Sequence, residues 1–226
     1  MKDTTVSMSA SVEDYLTAIY RLTPAGKPVG PSRLAEFMGL SGPSITLMVK
    51  RLTDQGLVLK NDGRGVALSE DGSHRALAVL RKHRLAERFL VDQLGLDWAL
   101  AHVEAHRFEH ALSDAVTDAL ERYLGKPDRC PHGQPIPDAN GYVAPSTAIP
   151  LSTLAVGARG RVESVADDDA GLLRWLAEVG IVPGIELEVR QLDPSGALLL
   201  WVNGHSIAAG PSVVRHILVN HTEVTP

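Results

Sequence analysis

Residues 101–110, AHVEAHRFEH, bring three histidines and two glutamates together in a chain that has only 9 His among 226 residues. At about 100° per residue, a helix would place four of these side chains within a stripe roughly 100° wide and point Glu104 to the opposite side. The four are His102, His106, Glu109 and His110. Neutral imidazole and carboxylate are the ligands that borderline divalent metals prefer. Four converging groups therefore favour a metal site over a polar helix face with scattered histidines.

A second pair of such groups precedes this segment. Residues 72–92 predict one long helix, and His83 and Glu87 lie four residues apart on it, hence on one face. Asp97 is predicted to cap the next helix, which we expect to run unbroken to about Leu124. The remaining faces of that helix carry more apolar surface than one neighbour would cover: Trp98, Leu100, Phe108, Leu112, Val116, Leu120 and Tyr123. This excess predicts a homodimer contact.

Composition narrows the class of protein. At 44% hydrophobic residues the chain can bury a proper core, and its single Cys excludes internal disulfides and Cys-based zinc fingers. No stretch resembles a signal peptide or a membrane span, so we expect a cytoplasmic protein. Neither a membrane nor a small-molecule substrate is expected as a partner.

Charge is divided along the chain although the net value is only −5. Residues 21–66 carry seven Lys/Arg against three Asp/Glu, whereas residues 83–121 carry three against eight. A basic segment beside an acidic one suits a protein that binds nucleic acid with one part and cations with the other.

The basic segment has the pattern of a winged helix-turn-helix. A helix over residues 10–22 is followed by PSRLAEFMGL, a short helix that we expect Ser32 to cap and Gly39 to end. SGPSITLMVKRLTDQGLV then restarts after a tight turn, with Ser41 as the candidate cap. Two β-prone runs around Asn61-Asp62-Gly63 predict a hairpin.

The second helix of this motif offers groups that suit DNA. Leu47 and Leu52 are expected to face inward. The residues predicted to contact DNA are Ser44, Thr46, Lys50 and Arg51 on that helix, Lys60 and Arg64 on the hairpin, and Arg33, Ser41 and Pro43 beside the turn. The alternative is a plain helical hairpin with a charged outer face, but the β-hairpin follows at the position where a DNA-binding wing would.

The composition changes after the helices. Residues 126–150 contain six prolines and predict a linker-like segment. Residues 151–226 alternate short β-branched runs with Gly and Pro and contain one short helix, AGLLRWLAEVG. Strands of this number and spacing predict a small β-barrel.

In their order and spacing, five motifs resemble the diphtheria-toxin-repressor family of metal-dependent transcriptional repressors. They are SGPSITLMVKRLTDQGLV, RKHRLAERFLVDQLGL, HRFEHALSD, PHGQPIP and LLRWLAEVGIVPG. The resemblance implies a mainly α N-terminal winged helix-turn-helix, a helical metal-binding and dimerisation domain, and a C-terminal SH3-like (FeoA-like) β-barrel. The implied bounds are 1–72, 73–140, a linker at 141–150, and 151–226.

The resemblance also implies two metal sites. The primary site would use Asp14, His106, Glu109 and His110, and the ancillary site would use His83, Glu87, His102 and Asp169 from the loop ADDDAG. Leu172 stands where the family often has a further glutamine, which is a departure from the pattern. Asp14 is a hard ligand and His106 an imidazole, so Mn²⁺ is the expected metal and Fe²⁺ the alternative, with Co²⁺, Ni²⁺ or Zn²⁺ as substitutes in vitro. Cys130 is expected to be a bystander.

The function implied is a manganese-responsive repressor of metal-uptake genes, which binds a palindromic DNA operator as a homodimer when loaded with metal. An iron-responsive repressor is the alternative within the family. HRFEH also matches H-x-x-E-H, a zinc-peptidase motif, but so short a pattern arises by chance on many helices. The rest of the chain is predicted to form a winged helix and a barrel, not a peptidase domain. We therefore expect no enzyme. A third alternative is a metal buffer or storage protein, but that function would give the basic winged helix no role.

Overall fold

The structure is a computed structural model that describes residues 6–23, 27–61, 65–166 and 169–222. The chain divides into two compact units, one of Met1–Lys82 with Pro137–Tyr142 and the other of His83–Ile136 with Val143–Pro226. No helix within the described ranges is both long enough and apolar enough to cross a bilayer.

The first unit is built from helices and a two-stranded hairpin. Its elements are α1 (Val6–Leu22), α2 (Pro31–Met38), α3 (Gly42–Asp54), β1 (Val58–Asn61), β2 (Gly65–Leu68) and the start of α4 (Glu70–Asp92). Their apolar faces meet in one core, which includes Leu16, Ile19, Leu34, Ile45, Leu52 and Leu57. Burial of these side chains is what fixes the helices to one another.

Local signals set the helix-turn-helix. Gly30 is the N-cap of α2 and Pro31 is its first residue, so the prediction that Ser32 caps this helix is wrong. Gly39 ends α2 in the left-handed conformation, with φ 64°. Ser41 begins α3 as predicted, because its Oγ accepts the Ser44 N–H at 3.4 Å.

Leu47 does not face inward, which corrects the sequence prediction. Helix α3 buries Ile45, Val49 and Leu52, which recur at helical spacing on one side. Leu47 lies two residues, or about 200°, from Ile45 on this helix, and the residue is 72% exposed. Leu52 faces the core as expected.

The predicted hairpin is present. Strands β1 and β2 pair antiparallel from Val58↔Leu68 to Asn61↔Gly65. Val29 adds a bridge to Val66, with backbone N–H to O distances of 2.8 and 2.9 Å. Arg64, which is predicted to contact DNA, lies outside the described residues.

In the second unit, the segment predicted as one helix over 97–124 is two helices, α5 (Trp98–Phe108) and α6 (Asp114–Tyr123). Asp97 caps α5 as predicted, since its carboxylate accepts the Leu100 N–H at 3.0 Å. Ser113 caps α6, accepting the Val116 N–H at 3.4 Å and holding its own backbone extended at ψ 158°. A Ser-Asp pair is an N-terminal signal, and here it outweighs continuous apolar periodicity.

The C-terminal part of this unit is an antiparallel sheet. Its elements are β3 (Ile149–Pro150), a 3₁₀ turn (Leu151–Thr153), β4 (Arg159–Val165), α7 (Ala170–Glu178), β5 (Glu186–Leu192), β6 (Leu198–Val202), β7 (His205–Ala209), α8 (Pro211–Val214) and β8 (Ile217–Thr222). The strand order is β3-β8-β4-β5-β6-β7, so among the described strands β3 and β7 are edges, and the sheet is open rather than a closed barrel. Bulges at Val162/Ser164 and Val189/Gln191 bend it around a core that also receives Leu173 and Leu176 of α7.

The proline-rich segment is more ordered than a linker. Cys130, His132 and Ile136 are buried. The Val165 N–H of β4 donates to the His132 carbonyl at 2.9 Å, and Gln134 Nε2 donates to the Val165 carbonyl at 2.9 Å. The turn that carries Cys130 and His132 therefore docks on the end of β4.

Candidate metal centre

The first group of metal-type ligands lies at the end of α5. His106 stands in its last turn, Glu109 is the residue that ends the helix, and His110 follows. His106 Nδ1 lies 3.0 Å from Glu109 Oε1, and His110 Nε2 lies 3.4 Å from the same oxygen. Their ligand atoms are all within 4.8 Å of one another. The glutamate is buried while the His106 side chain is 58% exposed, so the group faces outward at one side.

A second group joins α4 to α5. His83 Nε2 and His102 Nδ1 each lie 2.9 Å from Glu87 Oε1 and 3.1 Å from one another. These are three of the four residues expected from the resemblance for the ancillary site, and they come together within 4.8 Å. The helical wheel predicts His102 on the same stripe as His106 and His110, but in the structure His102 belongs to the group of His83 and Glu87.

The two groups share a contact. His83 Nδ1 lies 2.5 Å from Glu109 Oε2, while its other ring nitrogen lies beside Glu87. One imidazole therefore links the carboxylates of both groups.

A third group contains Glu87, Cys130 and His132, and the sequence prediction missed it. His132 Nδ1 lies 3.2 Å from Glu87 Oε1, and Cys130 Sγ lies 3.9 Å from that same nitrogen. All three residues are buried. The sequence signal for this group is Cys-Pro-His-Gly at residues 130–133, where a soft and a borderline ligand are two residues apart. The surrounding prolines had led us to interpret the segment as a linker. Cys130, which we expected to be a bystander, therefore lies beside two other potential metal ligands.

The donor set fits a divalent cation. Three imidazole nitrogens lie within 3.2 Å of Glu87 Oε1. Glu87 Oε2 is buried and makes no hydrogen bond within the described part of the chain. A buried carboxylate oxygen without a partner is costly unless a cation or water satisfies it. Imidazole, carboxylate and thiolate at these separations are the groups that transition metals bind.

Ionisation of these groups is set by their mutual contacts. Burial lowers the pKa of His83, but the Glu87 and Glu109 carboxylates outweigh it and raise that pKa to about 9. Burial raises the pKa of Glu109, yet hydrogen bonds from His106 and His83 bring it down to about 2. Burial likewise opposes ionisation of Glu87, and His83 and His132 hold its pKa well below the ordinary value. Both carboxylates are therefore ionised and available as ligands at neutral pH.

One expected ligand of the ancillary site, Asp169, is absent from these groups. Asp169 is the N-cap of α7, where its Oδ1 accepts the N–H groups of Gly171 and Leu172 at 2.7 and 3.1 Å. The ligand groups found among the described residues do not include it. Asp14 lies on α1 of the first unit and is half-buried. Its role as a primary-site ligand stays a prediction of the resemblance.

The residues predicted to contact DNA lie at the surface of the first unit. The exposed residues are Arg33, Ser41, Pro43, Ser44, Thr46, Lys50 and Lys60, and Arg51 is partly exposed. The exposed face of α3 thus carries the short hydroxyls and the cation that the sequence indicated.

A further surface of the second unit is apolar and exposed. Leu100, Phe108 and Val116 are 45%, 47% and 51% exposed, and Tyr123 is 66% exposed. Leu112, by contrast, is buried. Such exposed apolar side chains on α5 and α6 suit a contact with a second protein chain.

Three family models match successive parts of the chain. Residues 7–66 match the iron dependent repressor N-terminal DNA binding domain, and residues 69–138 match the iron dependent repressor metal binding and dimerisation domain. Residues 149–221 match the FeoA domain. These matches agree with the winged helix, the helical region and the C-terminal sheet.

Curated relatives match nearly the whole chain. The iron-dependent repressor IdeR of Mycobacterium leprae is 35% identical over 219 residues, covering 91% of this chain and 94% of that protein. The diphtheria toxin repressor of Corynebacterium diphtheriae is 33% identical over 207 residues, covering 87% and 91%.

Solved structures agree with this result. A manganese-dependent transcriptional repressor in complex with manganese superposes with a TM-score of 0.86 at 33% identity, covering 93% of this chain and 100% of that one. The manganese regulator SloR gives a TM-score of 0.80 at 30% identity, covering 93% and 98%. The chain therefore belongs to the diphtheria-toxin-repressor family of metal-dependent transcriptional repressors, and it is a DNA-binding regulator rather than an enzyme.

Proposed function

We propose that this repressor responds to manganese, and that the metal-loaded homodimer binds a palindromic operator of metal-uptake genes. The observation that carries the choice of metal is the group at the end of α5. Its described ligands, His106, Glu109 and His110, offer only nitrogen and oxygen, and Mn²⁺ accepts such a set without a soft partner. A solved manganese-dependent repressor is among the most similar structures.

Asp14 is proposed as the remaining hard ligand of that site, on the strength of the family resemblance. A bound divalent cation would supply the positive charge that compensates the carboxylates of Asp14 and Glu109. Glu109 would orient the group from its buried position, and Asp14 would tie α1 to the metal. A coupling free energy of about 1–3 kcal/mol between metal and DNA would change operator affinity by about 5–150-fold.

The group of Glu87, Cys130 and His132 favours a second candidate, an iron-responsive repressor. A buried thiolate raises the relative affinity for Fe²⁺, Co²⁺ or Zn²⁺ over Mn²⁺. The IdeR relative is named as an iron-dependent repressor. If this group rather than the one at the end of α5 controls DNA binding, the response follows the softer metal.

A metal-resolved titration tests the proposal. Chelated protein is titrated with Mn²⁺, Fe²⁺, Co²⁺ or Zn²⁺, and operator affinity is measured for each metal by fluorescence anisotropy. We expect Mn²⁺ to activate operator binding at free concentrations that occur in a cell. Equal operator affinity with and without metal would contradict the proposed switch, and activation by Fe²⁺ with none by Mn²⁺ would establish the second candidate.

Two variants test the ligand assignment. Asp14→Met replaces a hard oxygen with a soft sulfur, so the ratio of Mn²⁺ to Co²⁺ activation should fall. His106→Glu adds a negative charge and should strengthen activation by Mn²⁺. If the Asp14→Met protein keeps the parent's ratio, Asp14 does not set metal selectivity.

A further inference from the structure

Leu47 is the most exposed of the large hydrophobic residues that the structure describes, at 72% relative exposure. It lies in the middle of α3, whose other aliphatic residues Ile45, Val49 and Leu52 are buried. The exposure follows from its position on the helix, since Leu47 points away from the core on the opposite side from Ile45.

Three of the four neighbours of Leu47 on this face carry a hydroxyl or a positive charge. At helical spacing the four are Pro43, Ser44, Lys50 and Arg51. A single exposed leucine is ordinary on a protein surface. This one lies among hydroxyls and cations on the second helix of a helix-turn-helix, the helix whose exposed face enters the major groove.

The smaller side chains beside it are already engaged in local contacts. Thr46 Oγ1 donates to the Gly42 carbonyl at 3.0 Å, and the Ser41 and Ser44 hydroxyls lie 2.9 Å apart at the start of the helix. Leu47 is therefore the long side chain at the centre of the face, and it can form no hydrogen bond. In the major groove only one base edge offers an apolar group, the C5-methyl of thymine.

We propose that Leu47 is a specificity-determining residue that contacts a thymine methyl group in each half-site of the operator. This inference rests on the proposed operator binding. Burial of the methyl against Leu47 removes apolar surface from water on both partners, which stabilises the complex only when thymine occupies that position. Cytosine, without the methyl, and uracil, which differs from thymine only by its absence, would both lose the contact.

The test uses the full-length, metal-loaded protein. A duplex is first recovered by selection from a randomised DNA library, and each thymine in it is then replaced by uracil in both half-sites at once. Loss of one buried methyl corresponds to about a fourfold loss of affinity, so a symmetric replacement should cost about 15-fold. We expect one thymine position per half-site to show this loss, measured by fluorescence anisotropy.

The Leu47→Ala variant completes a double-mutant cycle. It should bind the thymine duplex more weakly than the parent and should not distinguish thymine from uracil at the sensitive position. Leu192→Ala is the matched control, because Leu192 is an exposed leucine of the second unit at 56% exposure. The control should keep the parent's difference between thymine and uracil. Circular dichroism should show both variants folded, since neither side chain is buried.

A second variant gives a positive signal. Leu47→Gln introduces an amide that can bond to adenine in the major groove. Repeated selection with this variant should replace thymine by adenine at the sensitive position. If every thymine-to-uracil replacement affects the parent and Leu47→Ala equally, the inference is overturned while operator binding stands. If the metal-loaded parent enriches no duplex, the proposed function itself fails.

Discussion

His83 Nδ1 on α4 lies 2.5 Å from Glu109 Oε2 at the end of α5, and this contact joins two groups of metal-type ligands. Because the other nitrogen of His83 lies 2.9 Å from Glu87 Oε1, the imidazole stands between two ionised carboxylates. The two groups are therefore electrostatically coupled. Any cation that binds one of them changes the charge that the other experiences.

The stability of chelated protein should fall as the pH rises from about 6.5 to 9. The pKa of His83 is raised to about 9 in the folded protein, against about 6.5 in an unfolded chain. Its charged form thus stabilises the fold fully below pH 6.5, and the contribution is lost as pH rises through 9. Urea denaturation across this range measures the free energy of unfolding, with a contribution of a few kcal/mol expected from His83. His83→Gln should flatten the decline, and an equal slope in both proteins would contradict the assignment.

Loss of the Glu109 carboxylate should abolish activation by every metal. Glu109 contacts His106 and His110 in one group and His83 of the other, so Glu109→Gln weakens both. We expect the 5–150-fold gain in operator affinity on adding metal to disappear. His83→Ala should reduce this gain only partly, because the group at the end of α5 keeps its ligands. A Glu109→Gln protein with the parent's response to Mn²⁺ would exclude Glu109 as a ligand.

The absorption spectrum of the cobalt-loaded protein should show whether Cys130 binds metal. If Cys130 binds metal together with Glu87 and His132, protein loaded with Co²⁺ will show sulfur-to-cobalt charge-transfer absorption in the near ultraviolet. Cys130→Ser should remove that absorption and keep the weaker bands of cobalt bound by nitrogen and oxygen. His132→Gln serves as the partner variant and should weaken the thiolate signal without deleting the sulfur. A spectrum of the parent that lacks the charge-transfer band would rule out Cys130 as a cobalt ligand.

A charge on the exposed apolar face of α5 should disrupt the dimer. Phe108 is 47% exposed there, and burying a glutamate in its place against a second chain would leave a carboxylate desolvated. Sedimentation velocity at micromolar concentration with metal present should give a dimer for the parent and a monomer for Phe108→Glu. Leu192→Glu, a substitution at a similarly exposed position on β5, should remain dimeric. Both variants sedimenting as the parent does would show that Phe108 lies outside the dimer contact.

The salt dependence of operator binding should report Lys50. Its side chain is exposed on α3, where it can contact a phosphate. Lys50→Ala should lower the slope of log affinity against log salt by about one unit for each protomer. Glu36→Ala, which removes an exposed charge of opposite sign on α2, is the control and should not lower the slope. A slope unchanged by Lys50→Ala would place this lysine away from the phosphates.

Much of this molecule was determined by short-range signals in the sequence. Ser41 and Asp97 begin helices, Gly39 ends one, and alternating runs on either side of residues 62–64 form the hairpin, because hydrogen bonds and backbone preferences between near neighbours decide such features. The spacing of His106, Glu109 and His110 likewise placed three ligands together, since they are only a turn apart.

Tertiary structure decided what depends on distant residues. His132 reaches Glu87, 45 positions earlier in the chain, because the proline-rich turn hydrogen-bonds to β4. No local sequence pattern predicts that contact. None predicts either that the His83 imidazole lies between the carboxylates of Glu87 and Glu109. Leu47, finally, is exposed because the core accepts only one side of α3, and which side is known only once the neighbouring elements have packed against it.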